Sequence, residues 1–245
     1  MIFDVHVHLP SPGWPGHQSF FRTAGAAVAY LKRAGVNRAI FNTWQGVFAK
    51  SAADLDQANR AALRLAARHS GTLYPGAVIH PDFAGVSVAW LEKFHRHGLR
   101  WVGELVPRCN MQRPYSDAAF LRLAEKCAEY GQILHLHYHS DVLELARQLP
   151  DCRLVVAHIP DQPALNAMAD CPNLWLDIAG MHGGLCLGAL ERAVKTMGID
   201  RLLFGTDFDA YEPRAFITRV RAVLPAQRDR AKVFWANAQR LIGDN

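Results

Sequence analysis

His6 and His8 lie two apart in the run Phe3-Asp4-Val5-His6-Val7-His8. Side chains two apart on a strand point to one face. Two imidazoles therefore stand side by side where this apolar, β-branched run ends. Convergent nitrogen donors of this kind suit zinc or a similar divalent ion. The pair is weak evidence alone in a chain with 12 histidines. His95 and His97 repeat the spacing beside Gly98 at the end of a helical stretch, and they read as surface residues. What strengthens the first pair is company. His137 closes an apolar run at 133–137, His158 closes another at 153–158, and Asp207 follows a third at 201–205. Three imidazole segments and one carboxylate segment thus end alike.

For those ends to meet, the segments must be parallel strands, and each parallel pairing needs a crossover connection. The chain supplies it. Strand-like runs at 2–8, 36–42, 73–80, 100–105, 133–137, 153–158, 173–178 and 201–205 alternate with helical spacing. The helices fall at 24–34, 54–69, 86–97, 117–130, 142–149, 162–170 and 185–197, with further helical segments to Leu241. Glycines such as Gly35, Gly71, Gly98, Gly131 and Gly198 stop them, as C-terminal glycines do. The one early interruption is a loop rich in proline and glycine (Pro10, Pro12, Gly13, Pro15, Gly16). Eight units in 245 residues predict an α/β fold, a single-domain (β/α)8 TIM barrel over residues 1–245. In such a barrel the C-terminal strand ends carry the active site. An open doubly wound sheet competes, but no Gly-x-Gly-x-x-Gly turn follows the first strand.

Composition narrows the function. The chain is 50% hydrophobic and 20% charged, with a formal charge of +5. No dense Lys/Arg block or RNA-binding signature accompanies that charge, so it argues for solvated helix ends and leaves an anionic small molecule open, while disfavouring nucleic acid. Five cysteines without a Cys-x-x-Cys pair suggest free thiols in a reducing compartment. The N-terminal run has an early acid and no basic region, unlike a signal peptide. No apolar run reaches membrane-spanning length. A cytoplasmic protein without a membrane partner is expected; self-association is left open.

The chain resembles the metal-dependent amidohydrolase superfamily, in its amidohydrolase 2 branch, over nearly its whole length. The resemblance rests on Phe3-Asp4-Val5-His6-Val7-His8, Gly131-Gln132-Ile133-Leu134-His135-Leu136-His137, Val155-Val156-Ala157-His158, Leu203-Phe204-Gly205-Thr206-Asp207-Phe208 and the tail Asn237-Ala238-Gln239-Arg240-Leu241-Ile242-Gly243. It implies that His6, His8 and His137 bind the metal. His158 would bind a second metal or polarise the substrate, and Asp207 would bind metal and shuttle a proton. Glu104, ending the fourth strand, stands where relatives bridge two metals; a partner of Arg100 or Arg108 is its other reading. His135 shares parity with His137 and reads as a core histidine. Asp4 is expected inward, below His6, as partner of a ligand imidazole. Arg108, His139 and Trp44 are expected at the substrate, with Arg113 an alternative to Arg108.

The resemblance implies one or two divalent ions, zinc by default or manganese in its place. The leading expectation is a hydrolase that uses metal-activated water on a lactone, ester or amide carbonyl, with Asp207 as general base and His158 beside the oxyanion. A non-oxidative decarboxylase of a carboxylated substrate is the alternative. A metal-dependent nuclease, suggested by the basic charge and Glu104, is a further one.

Overall fold

Eight parallel strands form: β1 (Phe3–Leu9), β2 (Arg38–Thr43), β3 (Leu73–Pro75), β4 (Trp101–Leu105), β5 (Ile133–His137), β6 (Arg153–Ala157), β7 (Leu174–Asp177) and β8 (Leu202–Leu203). The computed structural model describes residues 1–11, 13–14 and 19–243; Pro12, Pro15 and Gly16 of the expected loop lie outside them. The ladders run β1-β2-β3 and β4-β5-β6-β7-β8. Backbone hydrogen bonds join both seams. Ala77 N–H donates to the Trp101 carbonyl (2.9 Å) and Gly103 N–H to that of Ala77 (2.7 Å). Across the other seam Val5 N–H reaches the Phe204 carbonyl (2.9 Å) and His8 N–H that of Phe208 (2.5 Å). The sheet is therefore a closed cylinder with no edge to protect. This is the expected (β/α)8 barrel.

Two strands are shorter than the sequence suggests, for a backbone reason. β3 is expected over 73–80, but the strand covers only Leu73–Pro75, and Gly76 N–H makes the next bond to β2, to the Phe41 carbonyl (2.7 Å). From Ala77 the chain pairs with β4 instead. β8 pairs over two residues; beyond them the chain bonds to β1 instead.

Two apolar layers result. One ring fills the cylinder's lower half: Phe3, Val5, Ile40, Tyr74, Trp101, Ile133, Val155 and Leu203, floored by Ala238, Leu241 and Ile242 of the C-terminal helix. The outer layer sets strand residues such as Leu134, Leu136, Leu154 and Val156 against helix residues such as Leu31, Leu65, Leu91 and Phe94. Each fully buried side chain of this size contributes roughly 1.5–3 kcal/mol. With both strand faces buried, the upper interior is left for polar groups. No helix among the described residues is long and apolar enough to cross a membrane.

All five cysteines are free thiols. Burial raises the Cys127 thiol well above its ordinary range and pushes that of Cys152 up to about 12, whereas Cys186 is exposed. A thiol-reactive disulfide reagent should therefore label Cys186 on the native protein, and Cys127 and Cys152 only after denaturation. Equal labelling rates in the native state would contradict this packing.

Candidate metal centre

Two irregularities in the ladder aim the site. Pairing of β1 with β2 shifts between Asp4 and Val7. Phe3 and Val5 consequently belong to the inner ring, Val7 and Leu9 to the outer layer, and His6 and His8 turn inward above the ring. A second shift, between Val102 and Leu105 of β4, does the same for Glu104. Gly103 makes it feasible: its φ is +114°, and a Cβ there would lie 2.1 Å from the His135 carbonyl oxygen. Asn42 of β2 then donates to the Glu104 carbonyl (3.1 Å).

The expected ligands converge. His6 Nε2 lies 3.2 Å from His8 Nε2 and 3.2 Å from Glu104 Oε2. His8 Nε2 is 3.3 Å from Glu104 Oε2 and 3.4 Å from Asp207 Oδ1, and His6 Nε2 is 3.7 Å from the latter. The other carboxylate oxygen of Glu104 faces a different pair: Oε1 is 2.9 Å from His137 Nδ1 and 3.6 Å from His158 Nε2. Ligands about 2.0–2.2 Å from one ion stand roughly 3.0–3.4 Å apart. Most of these spans fall in that range, so the donor set fits a divalent ion.

Charge supports the same fit. Burial depresses the His6 imidazole, but Glu104 and Asp177 overcome it and hold His6 well above its ordinary value. His8, also depressed by burial, is raised on balance by Asp207 and Glu104. Burial likewise opposes ionisation of Glu104, yet His6, His137 and His8 hold that carboxyl well below the usual range. The carboxylates thus demand positive charge, which protons supply and which a divalent cation can replace.

Asp177 was missed in the sequence. Its Oδ2 accepts from His6 Nδ1 (2.8 Å) and His135 Nε2 (2.9 Å), and its Oδ1 from the backbone N–H groups of His158 (3.0 Å) and Ala179 (2.9 Å). With Nδ1–H held by Asp177, Nε2 is the nitrogen turned to the ligand cluster, where a metal ion would displace its proton. The only signal was a carboxylate ending a strand-like run, Leu174-Trp175-Leu176-Asp177. Asp4 does not take the role expected of it. Because of the β1 bulge, its carboxylate accepts from His6 N–H (3.1 Å), Thr206 N–H (3.1 Å) and the Thr206 hydroxyl (2.6 Å), and touches no imidazole nitrogen. Burial raises its pKa to about 7.

His158 and Asp207 both sit in the left-handed region, with φ of +68° and +62°, a conformation in which histidine and aspartate are over-represented among non-glycine residues. His158 Nδ1 donates to the Ala179 carbonyl (3.0 Å), which leaves Nε2 as an acceptor. Gly180 closes this corner with φ +76°; a Cβ there would lie 2.5 Å from His158 Nδ1. Gly180→Ala should therefore cost about 1–3 kcal/mol and lower metal retention, measured by urea unfolding and elemental content. Unchanged values for both would remove Gly180 from the account.

A cavity of about 480 Å³ opens above these groups, lined by His137, His158, Asp207, Arg108, Tyr138 and Tyr211 among others. Of the three expected substrate contacts only Arg108 lines it. His139 is drawn aside, its Nδ1 contacting the Asp141 carboxylate. Trp44 is 8% exposed and lies tilted against the His8 ring, centroids 4.4 Å apart. Arg113 is engaged by Asp82 (2.7 Å) and Asp117 (3.2 Å).

Imidazoles and carboxylates that converge at the C-terminal mouth of a closed (β/α)8 barrel, where barrel enzymes carry their active sites, form clusters able to hold a metal ion. The profile of the amidohydrolase family matches residues 3–243, and the chain belongs to that family. No curated protein sequence matches it. Solved structures share its fold. A dihydroxybenzoic acid decarboxylase from Polaromonas sp. JS666, with bound manganese and the inhibitor 2-nitroresorcinol, is 15% identical, with TM-score 0.72 over 99% of this chain and 96% of that one. A candidate 2-pyrone-4,6-dicarboxylic acid hydrolase from Pseudomonas putida is 20% identical, with TM-score 0.75 over 99% and 97%. An amidohydrolase from Burkholderia multivorans with bound zinc is 13% identical, with TM-score 0.70 over 99% and 99%.

Proposed function

We propose that this chain hydrolyses a lactone, ester or amide carbonyl in a small carboxylate-bearing substrate, with divalent metal held by His6, His8, Glu104, His137, His158 and Asp207. One observation carries the reading. The two oxygens of Glu104 face separate donor sets, His6, His8 and Asp207 on one side and His137 and His158 on the other. That division suits a carboxylate shared between two ions. Zinc or manganese fits the mixed nitrogen and oxygen donors.

When bound, such ions polarise the carbonyl and lower the pKa of water to about 7. The chain's own groups do the rest. Asp207, at the cavity base, takes the proton that water loses as its oxygen bonds to the carbonyl carbon. It returns that proton to the leaving oxygen or nitrogen as the bond to carbon breaks. His158 acts as a ligand, since its Nδ1–H is committed to the Ala179 carbonyl and its Nε2 faces Glu104 Oε1 (3.6 Å). Arg108 pairs with the substrate carboxylate at the cavity wall, where its planar fork matches two oxygens.

A decarboxylase is the second reading, favoured by Arg108, which lines the same cavity as Asp207, and by the likeness to the manganese-bound dihydroxybenzoic acid decarboxylase. The nuclease reading gains nothing from the cavity, in whose lining Arg108 is the sole lysine or arginine among the described residues. The metal-loaded protein should be offered a panel of carboxylated lactones and esters, with ring opening followed by absorbance, and a panel of aromatic acids, with carbon dioxide release measured. Ring opening without gas supports hydrolysis. Carbon dioxide release with an inert lactone panel overturns it in favour of the lyase.

A further inference from the structure

We propose that Trp44 and Asp209 form a positioning pair that sets the imidazole plane of His8 and ties it to the loop carrying Asp207; this rests on the metal reading above.

The ligand imidazoles differ in how they are anchored. His6 is oriented by Asp177 through Nδ1, and His158 by the Ala179 carbonyl through Nδ1. His8 has no such anchor: its Nδ1 is buried and finds no hydrogen-bond partner among the described residues. An imidazole held only through its ligand nitrogen is free to turn about its χ2 torsion unless packing stops it. Packing does stop it. The Trp44 indole lies against the His8 ring, centroids 4.4 Å apart and planes inclined by 34°. The indole also packs in an apolar cluster with Val47, Val106 and Phe48.

The indole is in turn fixed at its polar edge. Trp44 Nε1–H donates to Asp209 Oδ1 (2.9 Å). The second oxygen of Asp209 accepts from the Ser19 hydroxyl and from Phe21 N–H (3.4 Å). One carboxylate thereby joins the loops after β1, β2 and β8 above the ligand cluster. Asp209 is also two residues from Asp207, whose Oδ1 lies 3.4 Å from His8 Nε2. Turning the indole would therefore disturb two ligands of the same ion.

The test uses the full chain stripped of metal with chelator. Zinc affinity is measured by competition with a chromophoric chelator, and ligand geometry by the visible spectrum of the cobalt(II) form. Trp44→Leu removes the stacking face and should weaken zinc binding about 10–100-fold, as outer-shell changes do, and should alter the cobalt bands. Trp44→Phe keeps the face and should stay within about threefold of wild type. Asp209→Ala leaves the indole against its apolar backing without its anchor, and should weaken binding about three- to tenfold. If Trp44→Leu does not fold, Asp209→Ala carries the test with the same two measurements. Wild-type affinity and spectrum in Trp44→Leu, or in Asp209→Ala in that case, overturn this proposal while the metal reading stands. A wild-type chain that binds no zinc overturns both.

Discussion

Asp207→Asn should reduce turnover on the true substrate by about 10²–10⁴-fold, the usual value of a positioned acid or base. The substitution is close to isosteric, and asparagine tolerates the left-handed backbone at φ +62°. The backbone bond from Asp207 N–H to the His6 carbonyl (2.9 Å) is untouched. Folding should therefore survive, and thermal unfolding checks that. What is lost is a group that takes up a proton in the cavity that His158 also lines. Steady-state kinetics decides the matter: more than about a tenth of wild-type turnover would exclude Asp207 as the proton carrier.

Asp177→Ala should have the largest effect on stability. The side chain is fully buried and accepts four hydrogen bonds, from His6, His135, His158 N–H and Ala179 N–H. Burial alone would raise its pKa, but His6 and His135 hold the carboxyl well below the usual range, so it is ionised. Removing one member of such a buried pair leaves its partners desolvated and unmatched, at a cost of about 3–5 kcal/mol. Urea unfolding at neutral pH measures it. A loss below about 1 kcal/mol would mean that Asp177 is dispensable and that His6 is oriented by something else.

Much of this architecture was legible in the sequence because both of its periods are local. Runs such as 133–137 and 153–158 followed by helical spacing leave few alternatives to parallel crossovers, and a closed barrel satisfies all eight. The convergence of His6, His8, His137, His158 and Asp207 follows from that, since parallel strands put their C-terminal ends together. Other features depend on backbone departures that periodicity hides. Strict alternation from Trp101 would put Gly103 inward and Glu104 outward; the bulge reverses this, and Gly103 is what allows it. The bulge in β1 similarly turned Asp4 toward Thr206. Asp177 was visible as a carboxylate at a strand end, but its pairing with His6 spans 171 residues and needs the closed barrel to bring them together. Trp44 was expected against substrate; its hydrogen bond to Asp209, 165 residues away, turns it toward His8 instead.

The most direct test is elemental analysis of the purified chain and of a His6→Ala/His8→Ala variant, each per mole of folded protein. The wild type should carry about two divalent ions, and the variant fewer than about one. A wild-type chain that carries and takes up no divalent ion, or a variant that retains the wild-type content, would contradict the metal reading.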